Sequence, residues 1–333
     1  MVKRSKENGQ PDGREAPVLP RLARSARSGP LDGAVREAFG VSWGKARDLV
    51  RTGKISVGGE VITDPLARVD EGDELHFDPA ARRADRKAQA GRGAGLSDDA
   101  IVFVDAHVVV VRKAPGISTV PYEGDERGTL DELVRTWLGR QARSDRRGPA
   151  PLGVVHRIDK ETSGLVVFTR TWLAKQSLAA QFRAHTVHRR YLAIAHGVVR
   201  AATCDTWLIE NRGDGLRGSF KGKNPPPAAR RAITHVEPLE ALSGATLVRC
   251  RLETGRTHQI RIHLSERGHP IVGEQVYVRD ARRMGLTLIP APRLLLHAAE
   301  LGFEHPKTGQ PVHFEEPMPS DMMRIRERLA IAR

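Results

Sequence analysis

The chain is expected to be an α+β protein whose larger part is a mostly antiparallel mixed sheet, preceded by a small unit of helices and a β-hairpin. Three observations predict this. From Ile101 onward β-branched runs dominate: "IVFVD", "VVVVRK", "LVVFTR", "YLAIAHGVV", "RAITHVEPL" and "ATLVRCRLE". Helical patterns separate only some of them, notably "LDELVRTWLGRQ" and "TWLAKQSLAAQFRAH", so a regular βαβ alternation is not indicated. Before residue 78 the pattern is different and shorter.

Residues 1–29 are polar and rich in Pro, Gly and Arg, and are expected to form a disordered basic tail. Over residues 30–78, "AVREAFG" and "WGKARDLVRTG" have helical spacing and end at Gly40 and Gly53, where helix stops belong. "KISVGGEVITDPLARVDEGDELHF" then alternates as short strands about the pair Gly58-Gly59. Residues 79–100 are rich in Ala, Arg and Gly, the composition of a linker. The sheet-rich domain is assigned to residues 101–325.

The 333-residue chain carries 54 Lys and Arg against 40 Asp and Glu, a net charge of +14. Such an excess favours a polyanionic partner through phosphate contacts and counterion release. Only 5% of residues are aromatic, too few for a broad single-strand stacking platform. The two cysteines, Cys204 and Cys250, form no CxxC pair and no metal-ligand spacing. The N-terminus is charged from the start, and no run approaches the ~20 apolar residues that span a bilayer. The expectation is a cytoplasmic protein that does not engage membranes.

Three stretches carry chemistry. In "VVHRIDKETSGLVVFTR" a lone acid, Asp159, lies between Arg157 and Lys160 and before a turn into an apolar strand. Flanking cations suit a carboxylate that works as an anion, a nucleophile or charge stabiliser, and not a general acid. A surface salt bridge is the plain alternative for a single Asp. In "LETGRTHQIRIHLSERGHPIVGEQVY", Thr257 is read as an N-cap and Gly268 as the stop of a helix. Ile260, His263, Leu264 and Arg267 line one face. Arg261 then lies beside that stripe, free to reach a carboxylate elsewhere, and Arg256 precedes the helix where phosphate can approach. His258 and His263 lack an acidic or Cys partner in sequence, so a metal site is not favoured. In "VHRRYLAIAHG", Tyr191 shares a strand face with Ala193 and Ala195, leaving room for a flat ligand.

Together these stretches resemble the RluA-like pseudouridine synthases. "HRIDKETSGL" matches the family pattern with Ile158 in place of Leu, "TGRTHQIRIH" matches throughout, and "KAPG" and "LHAAELGFEHP" occur in family order. Glu274 in "GEQVY" stands where Gly-Asp is usual, a departure expected to be tolerated because the acid is retained. The segment Leu31 to Phe77 is similar to the small RNA-binding module, named after a ribosomal small-subunit protein, that often precedes this domain. The resemblance implies conversion of uridine in RNA to its C-glycoside, without cofactor or metal. It implies Asp159 as nucleophile, Tyr191 as stacking partner and possible C5 base, and Arg261 as salt-bridge partner of Asp159. It also implies Arg157 beside the extruded nucleotide and Leu296 against the base. Ribosomal RNA of the large subunit is the favoured substrate, with transfer RNA behind it, and a monomer is expected. Two rival readings are a non-catalytic RNA-binding or ribosome-assembly factor and a hydrolase using Ser163 with a His. The second lacks the Gly-x-Ser-x-Gly elbow.

Overall fold

The computed structural model describes residues 21–63, 65, 67–81, 95–122, 126–141 and 151–331. The chain divides into two compact units between Lys87 and Ala88. Each is described by itself.

In the N-terminal unit the helices Leu31–Phe39 and Trp43–Arg51 pack on a sheet of Arg21–Arg24, Glu74–Phe77, Ile55–Val57 and Glu60–Val61, in that spatial order. Gly40 ends the first helix in the left-handed region (φ 68°), where a Cβ is disfavoured, and Ser42 caps the second by accepting from the Lys45 N–H. Leu31, Val35, Leu49, Val50, Ile55 and Leu75 are its buried centre. Inside it Arg47 Nε donates to Asp32 Oδ2 at 2.9 Å, with the carboxylate fully buried. The expected basic tail gives way at its end: Arg21–Arg24 is a strand that pairs antiparallel with Glu74–Phe77. "RLAR" has no β-branched residue, so nothing local announced it. Residues 1–20 of that tail and most of the expected linker, 82–94, lie outside the described residues.

The larger unit is built on one mixed sheet. Its main path runs Gly218–Ser219, Ala202–Ile209, Arg230–Leu242, Ala245–Leu252, His188–His196, Leu296–Glu304, Ser163–Thr169, Val108–Lys113 and Ile101–Val104. Among the described residues only Ser163–Thr169 and Leu296–Glu304 run parallel, and they meet at just Ser163↔His297 and Gly164↔Ala298. The valine run shows why these strands are apolar throughout. Val109 and Val111 join the core cluster that holds Val166 and Phe168, while Val108 and Val110 face Leu165, Val167 and Leu178 on the other side. A period of two with both faces covered gives an uninterrupted apolar strand.

The helices Leu130–Gln141 and Trp172–Ala184 fall where their patterns predict. The terminal helix Ser320–Ile331 runs past the expected end at 325, burying Met322, Ile325 and Leu329. Gly164 is required where it is. Its φ is 112°, and a Cβ there would lie 2.2 Å from the carbonyl oxygen of Ala298, so the parallel strands meet only through a glycine.

Candidate functional site

Four neighbouring strands at the middle of the sheet converge on one cleft of about 290 Å³. The loop before Ser163–Thr169 supplies Arg157 and Asp159, the strand His188–His196 supplies Tyr191, and the start of Leu296–Glu304 supplies Leu296. The turn and helix after Ala245–Leu252 supply Arg256 and Arg261. All six residues picked out in the sequence line this cleft.

Arg261 lies on the helix Gln259–Glu266 and is buried. Its Nε and Nη2 form a fork on Glu274 at 2.7 and 2.8 Å, and its Nη1 donates to Asp159 Oδ2 at 3.4 Å. Glu274 is itself fully buried and also accepts the backbone N–H groups of Gln275, Val276 and Tyr277 at 3.0, 2.7 and 3.4 Å. Burial alone raises the Glu274 carboxyl, but the guanidinium and these N–H groups outweigh it and hold it below its ordinary value. The acid retained at 274 is therefore the residue that fixes Arg261, leaving one arm of the fork for Asp159. The two cations that flank Asp159 in sequence do not pair with it. Lys160 turns to Glu126 at 2.8 Å, and Arg157 is exposed at the cleft wall.

The backbone around Asp159 is gripped from both sides by the "KAPGIST" turn. Lys113 is wholly buried, and its ammonium donates to the carbonyls of Ala114, Ile117 and Lys160 at 3.0, 2.7 and 2.8 Å. The Gly116 N–H reaches the same Lys160 carbonyl at 2.8 Å. Thr119 Oγ1 donates to the Ile158 carbonyl at 2.9 Å. Burial pulls the Lys113 ammonium down to about 7, and the three carbonyls occupy all of its protons. Taken alone in the sequence this turn is unremarkable; its function as a clamp on residues 158–160 is visible only in three dimensions.

Tyr191 is buried, and its phenol is pushed upward first by desolvation, then by the nearby Asp159 charge, against the lowering effect of Arg189. It is therefore a neutral phenol near pH 7. The helix start differs from expectation. Thr257 is not the cap; His258 occupies that place in the left-handed region (φ 58°) and bonds through Nδ1 to the Tyr277 hydroxyl at 2.7 Å. Burial and the Arg261 charge lower His258 to about 4, so it is neutral. His263 lies between the hydroxyls of Thr206 and Thr234 at 3.0 and 2.9 Å, a structural role for that imidazole. No cluster of metal-binding side chains occurs among the described residues. Ser163 does bond to a histidine, His297 Nδ1 at 2.9 Å, but both are buried outside the cleft, and His297 Nε2 is held by the Glu316 carbonyl. That pair ties the parallel strands together and offers no nucleophile to a substrate.

Sequence reasoning placed Lys113 in a turn without giving it a role, and passed over Thr119 and Arg189. For Arg189 a signal was present: it is two residues before Tyr191, on the same strand face.

No helix among the described residues is long and apolar enough to cross a membrane. The family model "RNA pseudouridylate synthase" matches residues 107–266, and the "S4 domain" model matches residues 30–75. "Ribosomal large subunit pseudouridine synthase D" of Zymomonas mobilis is 36% identical over 298 residues, covering 86% of this chain and 89% of that protein. The protein of the same name from Pseudomonas aeruginosa is 34% identical over 286 residues, 82% of this chain and 83% of its own length. The solved structure "Human RNA Pseudouridylate Synthase Domain Containing 4" shares the fold, with a TM-score of 0.54 at 23% identity over 69% of this chain and 93% of that one. The chain thus belongs to the RNA pseudouridylate synthase family, in its RluA-like branch, with an S4 RNA-binding domain ahead of the catalytic one.

Proposed function

We propose that this isomerase converts specific uridines of large-subunit ribosomal RNA to pseudouridine, with Asp159 as its nucleophile. The observation that carries the reading is the placement of Asp159. It lies 3.4 Å from a buried guanidinium already saturated on its other side by Glu274, in a cleft shared with Tyr191 and Leu296. The reaction detaches uracil from the ribose carbon, turns it, and rejoins it through C5. The N1–C1′ bond breaks, the C5–C1′ bond forms, and the proton lost from C5 is balanced by one gained at N1. With no redox change and no net transfer, a positioned anion and a shielded pocket suffice. Attack at C1′, attack at C6, and assistance to elimination all use the same carboxylate.

Within this reading Leu296 packs against the extruded base and Tyr191 stacks on it. As a neutral phenol Tyr191 takes a C5 proton only after losing its own, so stacking is the role its surroundings favour. Arg157 faces the nucleotide from the exposed wall. Arg256, whose Nε is held by the Arg231 carbonyl at 3.1 Å, meets the phosphate backbone at the rim. The names of the relatives favour large-subunit RNA over transfer RNA, and work on that RNA in the cytoplasm belongs to the same reading. The test is to map pseudouridines in total RNA from cells with and without the gene. Loss of one or more sites confined to large-subunit ribosomal RNA is expected. Loss confined to transfer RNA overturns the substrate, and an unchanged map overturns the activity.

A further inference from the structure

Arg189 is a buried cation with no anion. Its side chain is 7% exposed, yet no carboxylate pairs with it among the described residues. Only Nη2 is used, donating to the Glu253 carbonyl at 2.9 Å, and Nε is buried without a partner. Its guanidinium carbon lies 5.6 Å from the centre of the Phe182 ring, which supports one face of the fork. Burial lowers its basicity, the Tyr191 oxygen partly opposes this, and the neighbouring Arg256 charge adds to the lowering. An unpaired guanidinium held out of water is destabilising unless a partner arrives to meet it. Two features describe the place. Gly255 leaves the space, since a Cβ there would come within 2.5 Å of Nη1. Arg189 also lines the cleft that contains Asp159, and a strand period of two sets it beside Tyr191, ~7 Å along the same face.

We infer that Arg189 is the seat of an RNA phosphate adjacent to the target uridine. The nucleotide whose base lies against Tyr191 then presents its own or the next phosphate to the free N–H groups of the guanidinium. This rests on the isomerase reading and adds to it the anchor for the flipped nucleotide. The bound phosphate supplies the missing countercharge, and a planar fork holds it in one orientation. The site is charged before substrate arrives, so phosphate entry offsets the cost of extruding the base.

The test uses the full chain and an RNA stem-loop that carries the mapped uridine. Arg189→Met removes the buried charge while keeping an unbranched stem. RNA affinity is expected to fall about tenfold, and the slope of log affinity against log salt to drop by ~0.7–0.9. Thermal stability is expected to be unchanged or higher, because a desolvated charge has been removed. Arg189→Lys keeps a point charge and is expected to recover the salt slope. A methylphosphonate placed in turn at each phosphate around the uridine identifies the contact. One position weakens the wild type about as much as Arg189→Met does and has little effect on that variant. If Arg189→Met lowers stability and leaves affinity and salt slope unchanged, Arg189 is structural and the inference is overturned. The same holds if every methylphosphonate penalty persists in full in the variant. Should Arg189→Met not fold, the uncharged Arg189→Gln takes its place in the same scan. Every position weakening it as much as the wild type, with no change in salt slope, overturns the inference. Turnover of the same stem-loop by the wild type is scored separately: tight, Arg189-dependent binding without turnover leaves the phosphate seat standing and sinks the isomerase reading.

Discussion

Two buried arginines face the same cleft in opposite electrostatic condition. Arg261 is enclosed by two carboxylates, Glu274 in a bidentate fork and Asp159 at the edge of hydrogen-bonding range. Arg189 has one carbonyl oxygen and a bare Nε. In the first case the protein supplies the countercharge itself, and the guanidinium holds a reactive carboxylate in place. In the second the protein leaves the charge open, as suits a group whose partner arrives with the substrate. The Arg47–Asp32 pair in the core of the N-terminal unit is a third case, a buried cation that meets an acid of its own unit. Burial alone does not separate these arginines; the count of acids around each one does.

That contrast breaks most sharply at Glu274. Glu274→Ala leaves Arg261 buried with a single distant partner, and a loss of about 3–5 kcal/mol in urea unfolding is expected. A loss below about 1 kcal/mol would mean that Glu274 does not fix Arg261. Pairing Arg261→Met with Glu274→Leu removes both charges and is expected to recover most of that stability. Turnover in the double variant stays depressed by about 10²-fold or more, since Asp159 has lost its tether. Recovery of turnover along with stability would assign Arg261 a packing role only.

Removing residues 1–78 sharpens the comparison from outside the cleft. RNA binding is expected to weaken about tenfold and its salt dependence to flatten, with kcat nearly unchanged at saturating RNA. Unaltered binding would show that the S4 domain is not a substrate anchor.

The smallest effect is on acid stability. His156 accepts the Val167 N–H at 3.0 Å and stacks on Phe182, and burial followed by the Arg189 charge lowers it to about 3. The unfolded chain binds this proton near pH 6.5 and the folded chain does not until far lower. Its contribution is therefore present above 6.5 and lost as pH falls toward 3. His156→Gln should recover about 1 kcal/mol of the loss between pH 7 and 5, read from urea midpoints. An equal slope in both proteins would mean that His156 protonates freely in the fold.

Much of this site was legible because its residues lie within short, contiguous stretches. The "HRID" acid, the "HQIR" arginine and the strand tyrosine each stand at a recognisable offset from a turn or strand start, and the structure brings them to one cleft. What stayed hidden depends on contacts between distant segments. "KAPG" shows a turn, but not that Lys113 spans to the carbonyl of Lys160. "GRTHQ" suggests a cap at Thr257, whereas His258 takes that place with a positive φ and a bond to the distant Tyr277. The flanking cations of Asp159 misled because sequence neighbours need not face one another; Lys160 found Glu126 instead. At the level of the fold, apolar β-branched runs marked the central strands, while the polar edge strand Arg21–Arg24 owes its form to its pairing with Glu74–Phe77.

The central claim is that the anion at position 159 does chemistry and does not merely bind. Asp159→Asn keeps its size and its place beside Arg261 while removing the charge. Tritium release from C5-labelled uridine in RNA is expected to fall by at least ~10³-fold, with RNA affinity within about threefold of wild type. Turnover within tenfold of wild type at unchanged affinity would contradict the account.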